Sequence, residues 1–276
     1  MTPELQRKVQ VCRDLLTELE SVVVAFSAGV DSTCLLALAA EVLGPAKVIA
    51  GMGVSPSLPE KERLAGRELA QRMGVELVEI QTSELTNPDY SENPPDRCFL
   101  CKSELYDHLL ALALDRGMAT VVSGANADDA QDFRPGLRAA QQLGVRSPLL
   151  EVGLTKAEVR SCSRAMDLPT WDKPAMACLA SRIPYGHRIT APKLSRIERA
   201  EYILKDQGFE ECRVRDYETL ARIELPPGSL VRATELRETI VERFKALGYA
   251  YVTLDLQGFR SGSMNEVLSG GSVMAV

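Results

Sequence analysis

Apolar residues recur at three- and four-residue steps from Leu5 through Val9, Cys12, Leu15, Leu16 and Leu19. That spacing predicts an amphipathic helix with its stripe turned toward a core, and Cys12 falls on the stripe. The run Val22-Val23-Val24-Ala25-Phe26 lacks polar alternation and predicts a short strand buried on both faces. A helical pattern follows from Leu35 to Leu43 and is closed by Gly44-Pro45. The unit then repeats: Lys47 to Met52 reads as a strand, Pro59 to Met73 as a helix ended by Gly74, and Val75 to Ile80 as a strand. Glu104 to Arg116 reads as a helix and Ala119 to Ser123 as a strand. Strands alternating with helices in this way predict an α/β fold, a doubly wound parallel sheet with its ligand at the strands' carboxyl ends.

Between Thr82 and Leu100 the chain is rich in proline, asparagine and acidic residues and reads as a long loop of functional character. Thr155-Lys156-Ala157-Glu158 is a capping box that starts a helix running to about Met166. From about Lys193 the pattern changes to helix (Leu194 to Gln207), strand (Glu211 to Arg215), strand (Leu220 to Leu225), helix (Leu230 to Leu247) and strand (Ala250 to Leu254). We therefore expect an ATP-binding-type domain over residues 1–186 and a smaller α+β domain over 187–276, the latter serving substrate binding or oligomerisation.

Length and charge narrow the class. The chain has 276 residues and a net charge of −6, the wrong sign for a protein whose whole surface holds nucleic acid. No apolar run approaches the roughly 18 residues that span a bilayer, and the first residues lack a signal-peptide core. The expectation is a cytoplasmic protein with no membrane and no nucleic-acid partner, and with its seven cysteines reduced rather than paired in disulfides.

Candidate chemistry starts at Ser27-Ala28-Gly29-Val30-Asp31-Ser32-Thr33, between the first strand and its helix. Small residues there let backbone N–H groups approach an anion, and the helix N-terminus adds positive potential. The string has neither the lysine of a Walker loop nor a G-x-G-x-x-G fingerprint. The plainer alternative is a strand-to-helix turn capped by Asp31 or Ser32. A second loop, Gly124-Ala125-Asn126-Ala127-Asp128-Asp129, falls at the same predicted sheet edge and is followed by Asp132-Phe133-Arg134-Pro135-Gly136. Asp128 and Asp129 serve equally well as helix caps.

Cys98-Phe99-Leu100-Cys101 lies just before the predicted helix of Glu104, where thiolates gain from the helix dipole. A zinc site would want four ligands, but there is no second C-x-x-C, and the histidines are His108 and His187. Cys178 is flanked by Lys173 and Arg182, which favour a thiolate if they face it. Cys98, Cys101 and Cys178 together suit three irons of a 4Fe-4S cluster, leaving the fourth iron open to a ligand such as hydrosulfide. Cys34, Cys162 and Cys212 read as small core hydrophobes. Arg213 and Arg215 lie two apart on a predicted strand and so share a face opposite Cys212 and Val214. With Arg182, Arg188, Arg196 and Arg199 nearby in sequence, they suggest a small anionic substrate; solvated surface arginines are the alternative.

Ser27 to Ser32 resembles the PP-loop, S-G-G-x-D-S, of enzymes that split ATP between its α- and β-phosphates. That resemblance implies a PP-loop ATP pyrophosphatase fold in which Ser27, Gly29 and Ser32 hold pyrophosphate and Asp31 lies near Mg2+. Ala28 departs from the pattern's glycine, which puts a backbone conformation of positive φ at that position in question. Along nearly the whole chain the sequence resembles the LarE family of ATP-dependent sulfur transferases. The carriers are Ser27 to Ser32, Asp132 to Gly136, Cys178 to Gly186, Arg213 to Arg215, Ala221 to Leu225 and Tyr251 to Gly262.

The resemblance implies adenylation of a carboxylate of pyridinium-3,5-biscarboxylic acid mononucleotide and its conversion to a thiocarboxylate, a step toward a nickel-pincer cofactor. It implies catalytic roles for Cys178, Asp31 and Arg182, and cofactor contacts from Gly124, Asn126 and Arg134. Arg213, Arg215, Arg260 and Glu201 would serve the substrate, and the expected assembly is a homo-oligomer. The three-cysteine pattern favours a cluster-bound sulfide over sulfur taken from Cys178 itself. A PP-loop tRNA thiolase, an ammonia-using AMP-forming ligase and a non-catalytic nucleotide or iron–sulfur carrier are the competing readings.

Overall fold

Alternation along the first strand decides how the first part of the chain is layered. The computed structural model describes residues 1–131, 135–174, 177–260 and 263–266. In chain order it runs α1 (Pro3–Glu18), β1 (Val22–Ala25), α2 (Val30–Leu43), β2 (Val48–Val54), α3 (Glu60–Arg72), β3 (Glu76–Gln81), α4 (Pro88–Ser91), α5 (Arg97–Asp115), β4 (Thr120–Ser123), α6 (Pro135–Gln142), α7 (Pro148–Glu151) and α8 (Lys156–Ala165). Val22 and Val24 enter one apolar core with Leu16 of α1, Leu35 of α2, Leu69 of α3 and Val159 of α8. Val23, between them, enters a second core with Ile49, Val121, Leu109 of α5 and Ala139 of α6. Both faces of the sheet are therefore covered, which is why β1 carries no polar residue.

The four strands are parallel in the order β3-β2-β1-β4, with Val22 opposite both Val48 and Thr120. The chain winds outward from β1 to β3, then crosses back to lay β4 on β1's other side. The doubly wound expectation holds, and the reversal between β1 and β4 leaves a crevice at their carboxyl ends where such sheets bind ligands.

Two compact units result, Met1–Glu84 with Asp96–Met176 and Leu85–Pro95 with Ala177–Val276. The division after Met176 precedes the expected 186/187 boundary, and the proline-rich loop goes with the second unit. Its reason is Asn93, fully buried, whose amide donates to Ile183 O at 3.1 Å and Pro184 O at 2.7 Å. Gly186 N returns a bond to Asn93 O at 3.1 Å, and Ile189 N bonds Ser91 O at 2.7 Å. These bonds tie the loop to the segment that follows Cys178.

The second unit continues with α9 (Ala191–Asp206), β5 (Arg213–Tyr217), β6 (Leu220–Glu224), α10 (Leu230–Glu235), α11 (Arg237–Ala246) and β7 (Tyr251–Leu254). The single helix expected from Leu230 to Leu247 is two, changing at Leu236. β5 and β6 form an antiparallel pair, and β7 adds parallel to β6. Cys212, Val214, Ala221 and Ile223 pack against Leu204 of α9 and Phe244 of α11. No helix among the described residues is long and apolar enough to cross a membrane.

Candidate functional site

The loop after β1 closes on itself through its two serines. Ser27 Oγ and Ser32 Oγ are 3.1 Å apart, and Ser27 N donates to Ser32 Oγ at 3.2 Å. Gly29 occupies the N-cap of α2 and makes no side-chain cap bond. The first turn of this 14-residue helix is thus presented without a capping side chain, the arrangement that suits an anion. Ala28 takes φ 55° and is fully buried, so the alanine does adopt the left-handed conformation in question. Its carbonyl accepts a hydrogen bond from Lys173 Nζ at 3.0 Å.

Across the switch point, the loop after β4 supplies the partners of Asp31. Asn126, almost fully buried, donates through Nδ2 to Asp31 Oδ1 at 3.2 Å, and Lys156 Nζ pairs with Asp31 Oδ2. Gly124 is required by packing: a Cβ there would stand 2.8 Å from Ser32 N and 3.0 Å from Ser32 Cα. Asp128 accepts from Lys156 N at 2.9 Å and Asp129 from Asn126 N at 3.0 Å, the capping roles that were the plainer alternative for both. The capping box of α8 is present, with Glu158 Oε2 2.9 Å from Thr155 N. Arg134, expected here, lies outside the described residues, as do Asp132 and Phe133. Gly136 stands against the first turns of α5, where a Cβ would be 3.0 Å from Lys102 Cγ.

Lys156 and Lys173 are the residues that sequence reasoning missed. Lys156 reads only as the first residue of a capped helix, and its reach to Asp31 spans 125 positions. Lys173 was grouped with Cys178 because it is near it in sequence, whereas its ammonium is committed to Ala28 O and, at 2.6 Å, to Glu62 Oε2.

The cysteines divide by exposure. Cys12, Cys34, Cys162 and Cys212 are fully buried, and burial pushes the Cys12 and Cys212 thiols up to about 12. Cys98 and Cys178 are exposed and Cys101 is half-buried. α5 begins at Arg97 rather than Glu104, so Cys98 and Cys101 lie within its first turns instead of before them. Nothing between Arg97 and Glu104 disfavours a helix, and Phe99 packs on the same core as Leu109. Cys98 and Cys101 belong to the first unit and Cys178 to the second. Among the described residues, no group of three or more His, Cys, Asp or Glu side chains is arranged to hold a metal ion.

Cys178 is the N-cap of a short 3-10 turn, Leu179–Arg182. Its carbonyl accepts from Ser181 N at 3.0 Å, Ser181 Oγ at 2.8 Å and Arg182 Nη1 at 3.0 Å. Arg182 does not face the thiol as a stray cation. It is completely buried and grips Glu201 through Nε at 2.9 Å and Nη2 at 3.0 Å, while Nη1 also reaches Ala177 O. Glu201 Oε1 accepts a further bond from Val214 N at 3.1 Å, so both residues are consumed in fixing the turn to β5. Removing one partner of such a buried pair costs about 3–5 kcal/mol, so a substitution at Arg182 reports folding as much as chemistry.

On β5, Arg213 and Arg215 share the face opposite Cys212 and Val214, as alternation requires, but both are buried rather than solvated. Arg215 pairs with both oxygens of Glu224 at 3.0 and 2.7 Å and also bonds Ser181 O and Ser263 Oγ. Arg213 lies 5.0 Å from the centre of the Phe259 ring, and its Nη1 bonds Cys212 O. Burial, reinforced by the Arg182 charge, pushes the Arg213 pKa down, which a bound anion would reverse. Arg260 is half-buried and pairs with Glu266 at 3.1 Å.

No family model matches the chain. It is 46% identical over 268 residues, 96% of its length and 99% of the relative's, to an uncharacterized protein of Synechocystis sp.. It is 35% identical over 254 residues, 92% of each chain, to pyridinium-3,5-bisthiocarboxylic acid mononucleotide synthase of Lactiplantibacillus plantarum. An uncharacterized protein of Methanocaldococcus jannaschii is 27% identical over 242 residues, 88% of this chain and 92% of the relative.

Proposed function

The chain belongs to the family of pyridinium-3,5-bisthiocarboxylic acid mononucleotide synthase, the LarE sulfur transferases, and from that membership we propose an ATP-driven replacement of carboxylate oxygen by sulfur. The substrate is pyridinium-3,5-biscarboxylic acid mononucleotide, a precursor of a nickel-pincer cofactor. The observation that carries the ATP half is the loop Ser27–Ser32 at the β1/β4 switch point, with an uncapped helix start behind it. Ser27, Gly29 and Ser32 would hold the β- and γ-phosphates, and Asp31 would hold Mg2+ once Lys156 turns from it toward the phosphates.

A carboxylate is a poor acyl donor because its charge repels nucleophiles. Its oxygen attacks the α-phosphorus, the bond to the bridging oxygen breaks, and pyrophosphate leaves. Sulfur then attacks the acyl carbon of the adenylate and AMP leaves, carrying the original carboxylate oxygen. Arg213, buried over Phe259, is our choice for the substrate's anionic group. Arg215 and Arg260 enter as residues already paired with carboxylates, and Arg182 with Glu201 as the support of the Cys178 turn.

The three thiols that are not fully buried, Cys98, Cys101 and Cys178, are the proposed ligands of a 4Fe-4S cluster. Bound there, such a cluster would supply sulfide at an open iron. The enzyme assay expects AMP, pyrophosphate and the thiocarboxylate product from MgATP, the biscarboxylate mononucleotide and a sulfide source; AMP formation that ignores the mononucleotide overturns the proposal. For the cluster, anaerobic purification should yield about four irons and four sulfides per chain, lost in Cys98→Ala. A chain that stays metal-free after reconstitution yet turns over once would instead make Cys178 the donor.

A further inference from the structure

We infer that Lys173 is a positioning residue of the phosphate loop, holding the Ala28–Gly29 peptide in the left-handed turn that an alanine adopts only under constraint. The consequence for nucleotide rests on the ATP reading above; the clamp itself does not. Left-handed backbone brings Cβ against the following carbonyl, and glycine alone takes it without penalty. Ala28 takes it at φ 55° with its methyl buried. α3 passes directly over it, because a Cβ built on Gly66 would lie 3.5 Å from Ala28 Cβ and 2.2 Å from Met52 Cε.

The ammonium that holds this peptide is itself held. Lys173 Nζ donates to Ala28 O at 3.0 Å and to Glu62 Oε2 at 2.6 Å, with the two side chains only 20% and 16% exposed. Its backbone is anchored from α8, where Arg160 bonds Trp171 O at 2.9 Å and Lys173 O at 2.8 Å, and Lys173 N bonds Thr170 O at 3.0 Å. Three separate stretches therefore converge on one carbonyl.

Because a peptide unit is planar and trans, fixing the Ala28 carbonyl also fixes the Gly29 N–H on its opposite side. Rotation of that unit would exchange a donor for a carbonyl dipole at the place where the loop is to meet phosphate, turning attraction into repulsion. Lys173 acts on nucleotide through this peptide, and its charge stays with Glu62.

The test compares Lys173→Met in the wild-type and Ala28→Gly backgrounds, reading the KM for MgATP, kcat and urea unfolding. Glycine reaches the same φ without the clamp. Lys173→Met should raise the KM about tenfold in the Ala28 background, the scale of one hydrogen bond to a charged group, with kcat less affected. In the Ala28→Gly background the same substitution should cost less than about threefold, and its cost in urea unfolding should shrink likewise. Equal losses in both backgrounds overturn the inference and make Lys173 a direct phosphate ligand or a plain structural ion pair. Should Lys173→Met not fold, Lys173→Gln, which keeps a donor, replaces it in the same comparison. A wild-type protein with no use for MgATP would overturn the ATP reading, while the urea comparison would still decide the clamp.

Discussion

Asp31→Ala is expected to abolish AMP release that depends on both ATP and the mononucleotide, lowering kcat/KM by about three orders of magnitude, the scale for losing a group that stabilises transition-state charge. Asp31 lies in the first turn of α2, where its carboxylate collects Lys156 Nζ and Asn126 Nδ2 from the far side of the switch point. With MgATP bound, the same oxygens would face the cation. Alanine would then leave Mg2+ short of a protein ligand and Lys156 without its resting partner. Folding should be little affected, because the pair is partly exposed at 22% and 31%, and such pairs contribute about 0–1 kcal/mol. The measurement is therefore pyrophosphate and AMP formation beside a thermal melt. A normal melt with activity lost supports the assignment; activity within about tenfold of wild type removes Asp31 from the magnesium role.

The parts of this site that could be read from the chain are those whose signals are local. β1 announces itself as four apolar residues, the small residues of Ser27 to Gly29 follow, and Gly44 ends α2, so strand, loop and helix were all legible. The parts that could not be read depend on residues brought together by topology. Whether Ala28 could stand at positive φ was decided by Lys173, which arrives from 145 positions away. Lys156 reaches Asp31 only because β4 pairs with β1. The start of α5 was misjudged because the proline-rich stretch before it suggested a longer loop than the seven residues Arg97 to Ser103 allow. In the second unit, alternation put Arg213 and Arg215 on one face. It did not say that Glu224, opposite Arg213 in the register, would bond diagonally to Arg215. A pattern of period two gives the face of a strand; the partner on that face is set by register.

Cys178→Ser should separate the two halves of the reaction. The substitution exchanges sulfur for oxygen at an exposed side chain and leaves the bonds to its carbonyl from Ser181 and Arg182 in place. The turn and its melting temperature are expected to stay as in the wild type. Adenylation needs no thiol, so MgATP and the mononucleotide should still give a burst of pyrophosphate equal to the active sites present. The adenylate then waits, because a serine hydroxyl neither ligates iron as a thiolate does nor carries a transferable sulfur. Thiocarboxylate formation should fall by at least about two orders of magnitude, since the loss removes the nucleophilic step rather than tuning it. Product at the wild-type rate would take Cys178 out of sulfur delivery altogether, whereas loss of the pyrophosphate burst would mean that the Cys178 turn is needed to seat the substrate. The number of turnovers in the wild type then decides between the two sources of sulfur. Repeated turnover with added sulfide requires that Cys178 keep its sulfur. A single turnover that leaves the chain lighter by one sulfur requires that Cys178 give it up.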